Sequence, residues 1–548
     1  MTSLHTFHGG LSLPGHKVVS LQGPIQISSL PEQMVIPIRQ HIGEARRLTV
    51  EVGDRVLGGQ ILAESESDFG TPIHASTSGV ISAIAPWPIP HPSGASDSCV
   101  IIDVDGLDDS VKLPPIDLNT TNSETLIERI RSAGIVGLGG AAFPTAIKLD
   151  RAQLQSIATL IINGAECEPY ITCDDILMQE QADDIIRGIK ILQSIIVPQK
   201  TLIAIEDNKS LAIKSMQMAL NTIPLISTEL VVIPTIYPSG GEKQLVQILT
   251  GLEIPQNQLA IDSGIYCQNV GTCVGITRAI KHNEALISRI VTLSGDGIKR
   301  PGNWLTRLGT PISHLIHQAG GYQSKTAEPL NLIMGGPMMG FLLASDQVPI
   351  VKAGNCILVM RDSSILQSNP QHDECIRCGK CTEVCPAQLL PQQLYWHARV
   401  SAWERSEQYN LFDCIECGCC SAVCPSQIPL VQYYRTAKSE IRATRRAQIK
   451  SDKSRIRFEL REERLARKKQ QDEERKRLKR EALKKKKDSG ATATIENDPV
   501  KAALERVKAK KLARQSTLAN TANLSPSPQK QMTEADSRRQ TGLEKSAE

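Results

Sequence analysis

The chain has 548 residues, of which 41% are hydrophobic and 22% are charged, and its formal net charge at pH 7 is +4. This length predicts several domains, and 15 cysteines in so long a chain fit a reducing compartment better than a disulfide framework. We read no signal peptide and no run of the roughly 18 apolar residues that a membrane-spanning helix needs, so we expect a soluble chain or one held at a membrane by partners.

The N-terminal part is predicted to be an irregular arm at 1–34 and a small all-β domain at 35–110. In the second segment short apolar runs alternate with turns, and their order resembles the barrel-sandwich hybrid of biotinyl and lipoyl carriers. A carrier presents a lysine at the tip of a hairpin, where this chain has Ser76, Thr77 and Ser78. We therefore expect a structural or docking role for this domain and not a carrier role.

Residues 120–285 alternate apolar strand patterns with helical patterns, which predicts an α/β domain. One strand, helix and strand in succession form a βαβ unit. The strand patterns cover Leu160–Ile162, Thr201–Ile205 and Leu230–Ile233, and the helical patterns cover Glu124–Ala133, Ile176–Leu192 and Ser210–Asn221.

A glycine-rich turn lies near the start of this domain, with Gly137, Gly139 and Gly140, and Lys148 follows it. Glycines allow backbone N–H groups to approach phosphate oxygens, and a lysine adds a positive charge. Alone, such a turn is more often plain chain geometry than a phosphate site. Its neighbours in the sequence strengthen the second interpretation.

Polar side chains follow two of the predicted strands. Asn163, Glu166 and Glu168 come directly after the first strand, and a run from Tyr237 to Glu242 follows the third. By itself the acidic pair is also compatible with a solvated loop. Four cysteines of this region lack cluster spacing and are predicted to be packed thiols, namely Cys167, Cys173, Cys267 and Cys273.

Residues 286–350 predict a short mixed β region, and residues 365–435 contain two cysteine runs with the spacing Cys-x2-Cys-x2-Cys-x3-Cys-Pro. This is the bacterial pattern for two [4Fe–4S] clusters, in which the fourth cysteine of each run binds the other cluster. We therefore predict that one cluster is bound by Cys375, Cys378, Cys381 and Cys424 and the other by Cys414, Cys417, Cys420 and Cys385. Zinc is the weaker alternative, because its sites usually come as separated Cys-x2-Cys pairs. Cys419 is off register and is predicted to be a small packed residue beside a cluster.

From residue 440 onward the chain becomes highly charged. Mixed signs at i,i+4 spacing predict a solvated helix, and later segments rich in Ser, Thr, Asn, Gln and Pro predict disorder. A flexible, solvated extension is the favoured interpretation of residues 440–548. Contact with anionic lipid headgroups or an acidic partner stays open. Nucleic acid is disfavoured, because the tail offers little aromatic surface for base stacking.

The order of these motifs carries a family resemblance. The motifs Gly-x-Gly-Gly-Ala-x-Phe-Pro-Thr, Asn-x-x-Glu-x-Glu-Pro and Tyr-x-x-Gly-x-Glu resemble those of the FMN- and NADH-binding subunit of respiratory complex I. The segment 286–350 resembles the soluble-ligand-binding β-grasp domain that follows in that subunit. Together with the barrel-sandwich hybrid, the tandem cluster module and the charged tail, the whole resembles the C subunits of Rnf (Rsx) complexes, the ion-translocating ferredoxin:NAD oxidoreductases of bacteria.

The resemblance implies a multidomain α/β and β fold, with a Rossmann-like FMN/NADH domain at 120–285, a β-grasp domain at 286–350 and an α-helical ferredoxin-type domain at 365–435. It implies an oxidoreductase subunit that transfers electrons between NAD(H) and ferredoxin, or another redox partner, through FMN and two [4Fe–4S] clusters, coupled to ion translocation. The implied partners are membrane subunits of the Rnf A, B, D, E and G types and ferredoxin, without nucleic acid. The implied location is peripheral, on the cytoplasmic face of the bacterial inner membrane.

The resemblance also implies roles for single residues. Those implied to hold the flavin phosphate are Gly137, Gly139, Gly140 and Lys148. Phe143 would lie near the contact between nicotinamide and flavin. Asn163 and Glu166 would contact flavin or nucleotide, with Glu168 beside them, and Glu242 would bind a nucleotide ribose.

Two places in the complex I motifs differ in this chain. Val136 and Leu138 stand where that family has arginines, and Gly241 stands where it has the first of two acidic residues. These differences keep a second interpretation open, in which the chain is an electron-transfer and docking module with a vestigial nucleotide site. A third interpretation, a zinc-binding nucleic-acid protein with a basic tail, predicts a colourless protein.

Overall fold

The computed structural model describes residues 3–40, 46–65, 70–117, 120–323, 330–361, 372–488 and 503–509. Residues 1–446 form one compact unit, and residues 447–548 belong to a second. Most of the C-terminal stretch predicted to be disordered lies outside the described residues. None of the helices within these ranges combines the length and apolar character that crossing a bilayer requires.

The N-terminal arm ends in a short strand, β1 (Gln26–Ile27), and a small β domain follows it. The strands of this domain are β2 (Gln33–Pro37), β3 (Arg46–Leu48), β4 (Arg55–Val56), β5 (Ile61–Ser65), β6 (Ile73–His74), β7 (Gly79–Pro88) and β8 (Ser96–Val104). They form two sheets, with strand orders β2-β8-β7-β4 and β3-β5-β6. Met34, Leu62 and Ile102 are fully buried in their common core.

The hairpin tip that a carrier domain would expose is buried in this domain. Ser76, Thr77 and Ser78 have no exposed surface. Thr77 Oγ1 donates to a carboxylate oxygen of Asp108 (2.8 Å), and Ser78 Oγ donates to one of Asp105 (2.6 Å). Because a carrier must present this tip to other proteins, the burial argues against a carrier role, and the structural or docking role of the domain stays a prediction.

The central domain is a four-stranded parallel sheet with helices around it. Its strands are β9 (Thr159–Gly164), β10 (Lys200–Glu206), β11 (Thr228–Ile233) and β12 (Ile265–Asn269). Its helices are α1 (Ser123–Ser132), α2 (Thr145–Gln153), α3 (Cys173–Glu180), α4 (Ala182–Ile196), α5 (Ser210–Thr222), α6 (Glu242–Thr250) and α7 (Val270–Lys281). The strand order is β11-β10-β9-β12, so the direction of winding reverses between β9 and β12. In open α/β sheets, ligands bind beyond the carboxyl ends of the strands at such a switch point.

The single helix predicted at Ile176–Leu192 is wrong, because the structure has two helices there. Gln181 separates α3 from α4 and has non-helical backbone angles (φ −123°, ψ 30°). Asp183 and Asp184 lie in the first turn of α4, where their negative charges interact favourably with the helix dipole. The apolar periodicity continues across the break, which is why the pattern alone did not reveal it.

The next region is a mixed sheet that includes the strand of the N-terminal arm. Its own elements are β13 (Ser288–Ser294), β14 (Gly302–Arg307), α8 (Ile312–Gln318), β15 (Asn331–Met334), β16 (Phe341–Leu342) and β17 (Cys356–Met360). The strand order is β1-β14-β13-β17-β15-β16. Since β1 pairs in parallel with β14, the arm completes the edge of this sheet.

The cysteine-rich region consists of short helices followed by one long helix. They are α9 (Lys380–Glu383), α10 (Pro391–Arg399), α11 (Trp403–Gln408), α12 (Cys419–Ala422) and α13 (Leu430–Asp488), with a short 3-10 helix at Leu411–Asp413. Two further 3-10 helices lie earlier in the chain, at Val18–Ser20 in the arm and at Ala260–Ser263 in the central domain. Leu394, Tyr395 and Leu411 form the centre of this region's core. The residue before α9 is Gly379 and the residue before α12 is Gly418, each with a φ of +83°. The two cysteine runs therefore fold into equivalent turns.

Candidate functional site

The glycine-rich turn is a tight hairpin directly before α2. Gly137 N–H donates to the carbonyl oxygen of Phe143 (2.8 Å), and Ala142 N–H donates to that of Gly137 (3.1 Å). Gly140 has a φ of +108°, a backbone conformation that glycine adopts without steric cost. A Cβ atom at Gly140 would meet no other atom within 4 Å. The turn therefore presents open backbone on this side.

The same turn is held against the carboxyl end of β12. Leu138 N–H donates to Thr272 Oγ1 near the start of α7 (2.9 Å). A Cβ atom at Gly139 would lie 3.4 Å from Asn269 Cβ, so the turn passes close to the last residue of the strand. The predicted phosphate-binding glycines thus stand beside the switch point of the sheet.

Two asparagines face each other where β9 and β12 end. Asn163 and Asn269 are register partners in the parallel sheet. Asn163 Nδ2 donates to Gly240 O (2.9 Å), and Asn269 Nδ2 donates to Asp174 Oδ2 (2.7 Å). Asn269 Oδ1 also accepts the Gly271 N–H (2.8 Å) as the N-cap of α7. Asn163 was predicted from its position after an apolar strand, whereas Asn269 was missed; its only signal in the sequence is an asparagine at the N-cap position of a helical pattern.

Lys148 and Glu242, which were predicted to bind different parts of the ligand, form an ion pair. Lys148 Nζ lies 3.1 Å from Glu242 Oε2 and donates to Cys267 O (2.8 Å). The ammonium also lies 5.1 Å from the ring centroid of Tyr266. Both charged side chains keep some exposed surface, 23% for the lysine and 43% for the glutamate. A cation is therefore available at the carboxyl edge of the sheet.

The carboxylate of Glu166 is buried and caps the start of α3. Its Oε1 accepts the Asp174 N–H (2.8 Å), and its Oε2 accepts the Asp175 N–H (3.3 Å). Burial raises the pKa of Glu166, and burial together with the nearby Glu166 raises the pKa of Asp174 to about 7. Glu166 was predicted to contact flavin or nucleotide, but in the structure its carboxylate binds the first N–H groups of α3.

Glu168 connects the central domain to the β-grasp region. Its Oε1 accepts the backbone N–H groups of Met338 (2.7 Å) and Met339 (3.1 Å), in the loop between β15 and β16. Burial raises the pKa of this carboxyl group, although the two N–H donors act in the opposite direction. Glu168 thus fixes the relative position of two loops.

A buried lysine of the N-terminal arm holds the backbone of the loop between β9 and α3 (residues 165–172), called the acidic loop because it carries Glu166 and Glu168. Lys17 Nζ donates to the carbonyl oxygens of Glu166 (2.7 Å), Glu168 (3.0 Å) and Ile171 (2.6 Å). From the other side, Lys209 Nζ lies 3.4 Å from Glu166 O. Nothing in the sequence of the arm signals this role, because Lys17 lies outside any periodic pattern.

Four of the predicted cluster cysteines line one cavity. They are Cys385, Cys414, Cys417 and Cys420. The rest of the wall is mostly apolar and includes Leu389, Leu394 and Tyr434. Burial and the neighbouring thiols raise the pKa of Cys420. Cys419, which was predicted to pack beside a cluster, is fully buried and lines the same cavity as a fifth thiol. The convergence of the four predicted ligands in an apolar cavity fits an iron–sulfur cluster, which binds cysteine thiolates.

The other four predicted ligands lie nearer the surface. Cys378 is exposed, and the half-buried members are Cys375, Cys381 and Cys424. Burial, followed by the proximity of Cys378 and Cys375, raises the pKa of Cys381, so these three thiols are neighbours. Beside them the apolar side chain of Ile376 is 68% exposed.

The buried cavity lies against the central domain. Tyr237, which precedes α6, donates its hydroxyl to the carbonyl oxygen of Cys417 (2.6 Å). Tyr237, Cys417 and Cys419 form one buried cluster, against which Cys167 and Met338 pack. Cys167 stands between the two glutamates of the acidic loop. The loop at the end of β9 therefore reaches the wall of the cluster domain through a single layer of side chains.

Comparison with known proteins assigns a domain family to four regions of the chain. The matches are the RnfC barrel-sandwich hybrid domain at 5–107, the Nuo51 FMN-binding domain at 130–278, the SLBB domain at 290–342 and the 4Fe-4S dicluster domain at 374–428. The C subunit of the ion-translocating oxidoreductase complex of Yersinia pestis bv. Antiqua is 50% identical over 84% of this chain and 74% of its own length. The chain belongs to this family of C subunits.

Other members of the family give the same result. The protein of Yersinia enterocolitica is 50% identical over 84% of this chain, a match that spans 65% of its own length. That of Pectobacterium atrosepticum is 46% identical over 92% of this chain and 71% of its own length. A NAD+-reducing [NiFe]-hydrogenase aligns over 57% of this chain and 60% of its own with 16% identity and a TM-score of 0.43. The relatives and the domain matches confirm the family and the four domain types predicted from the sequence.

In this chain, apolar residues and a glycine replace three charged residues of the complex I motifs. Val136 is fully buried and Leu138 nearly so, so apolar packing replaces the arginines at these places. A guanidinium still reaches the turn, since Arg289 Nη2 of β13 donates to Leu138 O (3.2 Å). A Cβ at Gly241 would lie 2.6 Å from Gln244 Oε1, so a larger residue there would displace that side chain.

Proposed function

We propose that this chain is the peripheral redox subunit of a membrane complex that couples electron transfer between NAD(H) and ferredoxin, or another redox partner, to ion translocation. FMN would occupy the crevice at the β9–β12 switch point, and two [4Fe–4S] clusters would occupy the cysteine region. The observation that carries the proposal is the buried contact from Tyr237 to Cys417, which brings the acidic loop of the crevice against the wall of the cluster cavity.

The crevice offers the groups that a flavin phosphate requires. Gly139 and Gly140 would supply backbone N–H groups, while Gly137, whose own N–H donates to Phe143 O, would shape the turn. Lys148 would supply a positive charge after leaving its ion pair with Glu242. Bound flavin accepts two electrons as a hydride and releases them singly, which suits one-electron clusters. Phe143, which is 39% exposed, would cover the reacting face.

The asparagines at the ends of β9 and β12 would orient the polar edge of the flavin. Asn163 and Asn269 lie opposite each other at the switch point. Glu242, at the first turn of α6, would remain free for a nucleotide ribose once Lys148 turns to phosphate. The nucleotide would lie above the glycine turn, where there is open space beside Gly140.

Glu166 and Glu168 would act as positioning residues and not as ligands. Their carboxylates bind backbone N–H groups at Asp174 and Met338. Lys17 holds the carbonyl oxygens of the same loop. The loop would thereby be kept rigid between the flavin and the cluster cavity, which favours rapid electron tunnelling over a fixed distance.

The two cysteine sets would have different positions in the electron path. The set formed by Cys385, Cys414, Cys417 and Cys420 would hold the cluster next to the flavin, because its cavity touches Tyr237. The set formed by Cys375, Cys378, Cys381 and Cys424 would hold the outer cluster. Its exposed edge at Ile376 and Cys378 would face the membrane partners or ferredoxin.

A docking module with a vestigial nucleotide site is the second candidate. It is favoured by the apolar residues at Val136 and Leu138 and by the commitment of Glu166 to α3. In that case the clusters would connect other proteins, and the crevice would not bind FMN.

Anaerobic purification followed by iron, acid-labile sulfide and flavin assays separates the two candidates. The first predicts about eight iron and eight sulfide atoms per chain, bound FMN, and loss of flavin absorbance on addition of NADH. Cys417→Ser should lower the iron content, whereas Cys99→Ser, at a buried thiol of the β domain, should not. Full iron with no FMN binding would favour the docking module, and a colourless protein without sulfide would refute both.

A further inference from the structure

The long C-terminal helix carries basic residues on all sides but confines nearly all of its acidic residues to one side. Between residues 447 and 488, Lys and Arg outnumber Asp and Glu eighteen to nine. Eight basic residues follow one another at intervals of three, four or seven and therefore share one side of the helix; this basic stripe is Lys450, Lys453, Arg457, Arg461, Arg464, Lys468, Arg475 and Lys479. The other side carries an acidic row at Asp452, Glu459, Glu463, Glu474 and Glu481.

The ion pairs of this helix neutralise only the acidic row. Arg455 lies 3.5 Å from Asp452 and 4.0 Å from Glu459, and Arg477 lies 3.8 Å from Glu481. Both arginines belong to the acidic side. Over the helical side chains that the structure describes here (450–485), no carboxylate lies within 4.0 Å of a basic-stripe cation. Asp472 falls at the margin of the stripe by its helical position, so the stripe keeps a strong positive charge.

The basic stripe is exposed to solvent along its whole length. All eight side chains are exposed, and at 1.5 Å per residue the stripe extends for about 44 Å. Apolar residues on this helix are too sparse for a coiled-coil seam. Among its described side chains from residue 447 onward, the one aromatic available for base stacking is Phe458. A long row of cations with little apolar or aromatic surface suits a flat anionic surface.

We propose that the basic stripe binds the anionic headgroup surface of a lipid bilayer, with the acidic row facing away from it. The proposal rests on the proposed function in one respect, which is that it places the chain beside a membrane. Lipid phosphates would contact the Lys and Arg side chains without insertion of the helix. The interaction would weaken with salt, because exposed charges are screened over about 10 Å at 0.1 M ionic strength.

Co-sedimentation of the full chain with vesicles tests the proposal directly. The chain should bind vesicles of phosphatidylcholine mixed with phosphatidylglycerol and should not bind vesicles of phosphatidylcholine alone. The stripe variant replaces Arg457, Arg461, Arg464 and Lys468 with glutamine. Each cation near an anionic bilayer contributes about a fivefold factor, so this variant should bind about 100-fold more weakly or worse.

A matched variant removes the same charge from other sides of the helix. It replaces Lys469, Lys476, Arg480 and Lys484 with glutamine, and its binding should fall by less than about tenfold, because the stripe is retained. Helicity from far-ultraviolet circular dichroism should be equal in both variants.

Three results would overturn the proposal. Equal loss in the two variants would show attraction to net charge and not to the stripe. Failure of the wild-type chain to bind anionic vesicles would exclude the lipid surface. Stripe-dependent binding to RNA or heparin without vesicle binding would identify a different polyanion. Co-sedimentation measures no redox step. A chain that does not bind vesicles but is reduced by NADH in a separate assay would therefore contradict this proposal and leave the proposed function intact.

Discussion

At the scale of single residues, Tyr237 is the side chain that connects the two parts of the proposed electron path. Its main chain leads into α6, and its buried hydroxyl donates to the carbonyl oxygen of Cys417. A buried carbonyl that loses its donor costs about 1–3 kcal/mol. Because hydrogen bonds around an iron–sulfur cluster help to set its reduction potential, this contact bears on both stability and redox properties.

The substitution Tyr237→Phe should therefore lower the melting temperature and make the potential of the adjacent cluster more negative, because an unpaired carbonyl dipole then faces the cavity. Potentiometric titration monitored by electron paramagnetic resonance measures the shift. The control is Tyr409→Phe, at a partly exposed ring on the surface of the cluster domain. An unchanged potential in Tyr237→Phe would mean that the contact is only structural.

The contacts of Lys17 predict that its replacement lowers both stability and FMN retention. Its ammonium serves three carbonyl oxygens of the acidic loop, so Lys17→Met should destabilise the chain by about 3 kcal/mol through unpaired buried groups. The loop should also move, and the retention of FMN during gel filtration should fall. Lys112→Met, at an exposed lysine of a surface ion pair, should leave both the unfolding free energy and the flavin content nearly unchanged.

Asp174 predicts a pH dependence. Its folded-state pKa of about 7, raised by burial and by Glu166 with Asn269 and Arg289 opposing, exceeds the unfolded value of about 3.9. The folded state therefore binds the extra proton, and this group's contribution to stability is lost as pH rises from about 4 to 7. Urea unfolding should show Asp174→Asn gaining stability relative to wild type over that range, by up to about 4 kcal/mol. A difference that stays constant with pH would contradict the assignment.

At the scale of elements, the crossing of α4 and α7 depends on one glycine. A Cβ atom at Gly188 would lie 2.1 Å from the carbonyl oxygen of Cys273, so the helices approach closely only without a side chain there. The contact matters for the site, because α7 begins at the N-cap Asn269 beside the glycine turn.

The substitution Gly188→Ala should separate the two helices and cost several kcal/mol, within the range of overpacking in a tight core. Gly275→Ala on α7 is the matched control, since its Cβ would make an ordinary contact at 3.5 Å with Ile135. That variant should be neutral or more stable by up to about 1 kcal/mol, because alanine favours helices. Chemical unfolding measures both, and equal effects would contradict the packing argument.

The elements also show which features the sequence could and could not predict. The strands predicted at β9, β10 and β11 are present in the structure. They could be predicted because continuous apolar runs are typical of parallel strands buried on both faces. β12 was missed, since Tyr266 and Gln268 interrupt its apolar run. Lys17 and the capping role of Glu166 could not be predicted, because both depend on contacts between segments far apart in the chain. Cysteine spacing needed no such contacts, because ligand chemistry restricts it directly.

At the scale of the whole molecule, the N-terminal arm links the parts of the compact unit. Leu11 pairs with Tyr237 through backbone hydrogen bonds in both directions, and His8 Nδ1 lies 3.0 Å from the carbonyl oxygen of Cys385. β1 then completes the sheet of the β-grasp region. The arm thus contacts the central domain, the cluster domain and the β-grasp sheet, which stabilises a fixed arrangement of the candidate sites.

The proposed order of the two clusters in the electron path can be measured by rapid-freeze electron paramagnetic resonance of the anaerobically purified, FMN-loaded chain after mixing with NADH. Cys417→Ser should abolish reduction of the remaining cluster, because the inner position is lost. Cys378→Ser should leave the inner cluster reducible at the wild-type rate. Reduction of the outer cluster at the wild-type rate in Cys417→Ser, with a block in Cys378→Ser, would show that the outer cluster accepts electrons from the flavin first and that the proposed order is wrong.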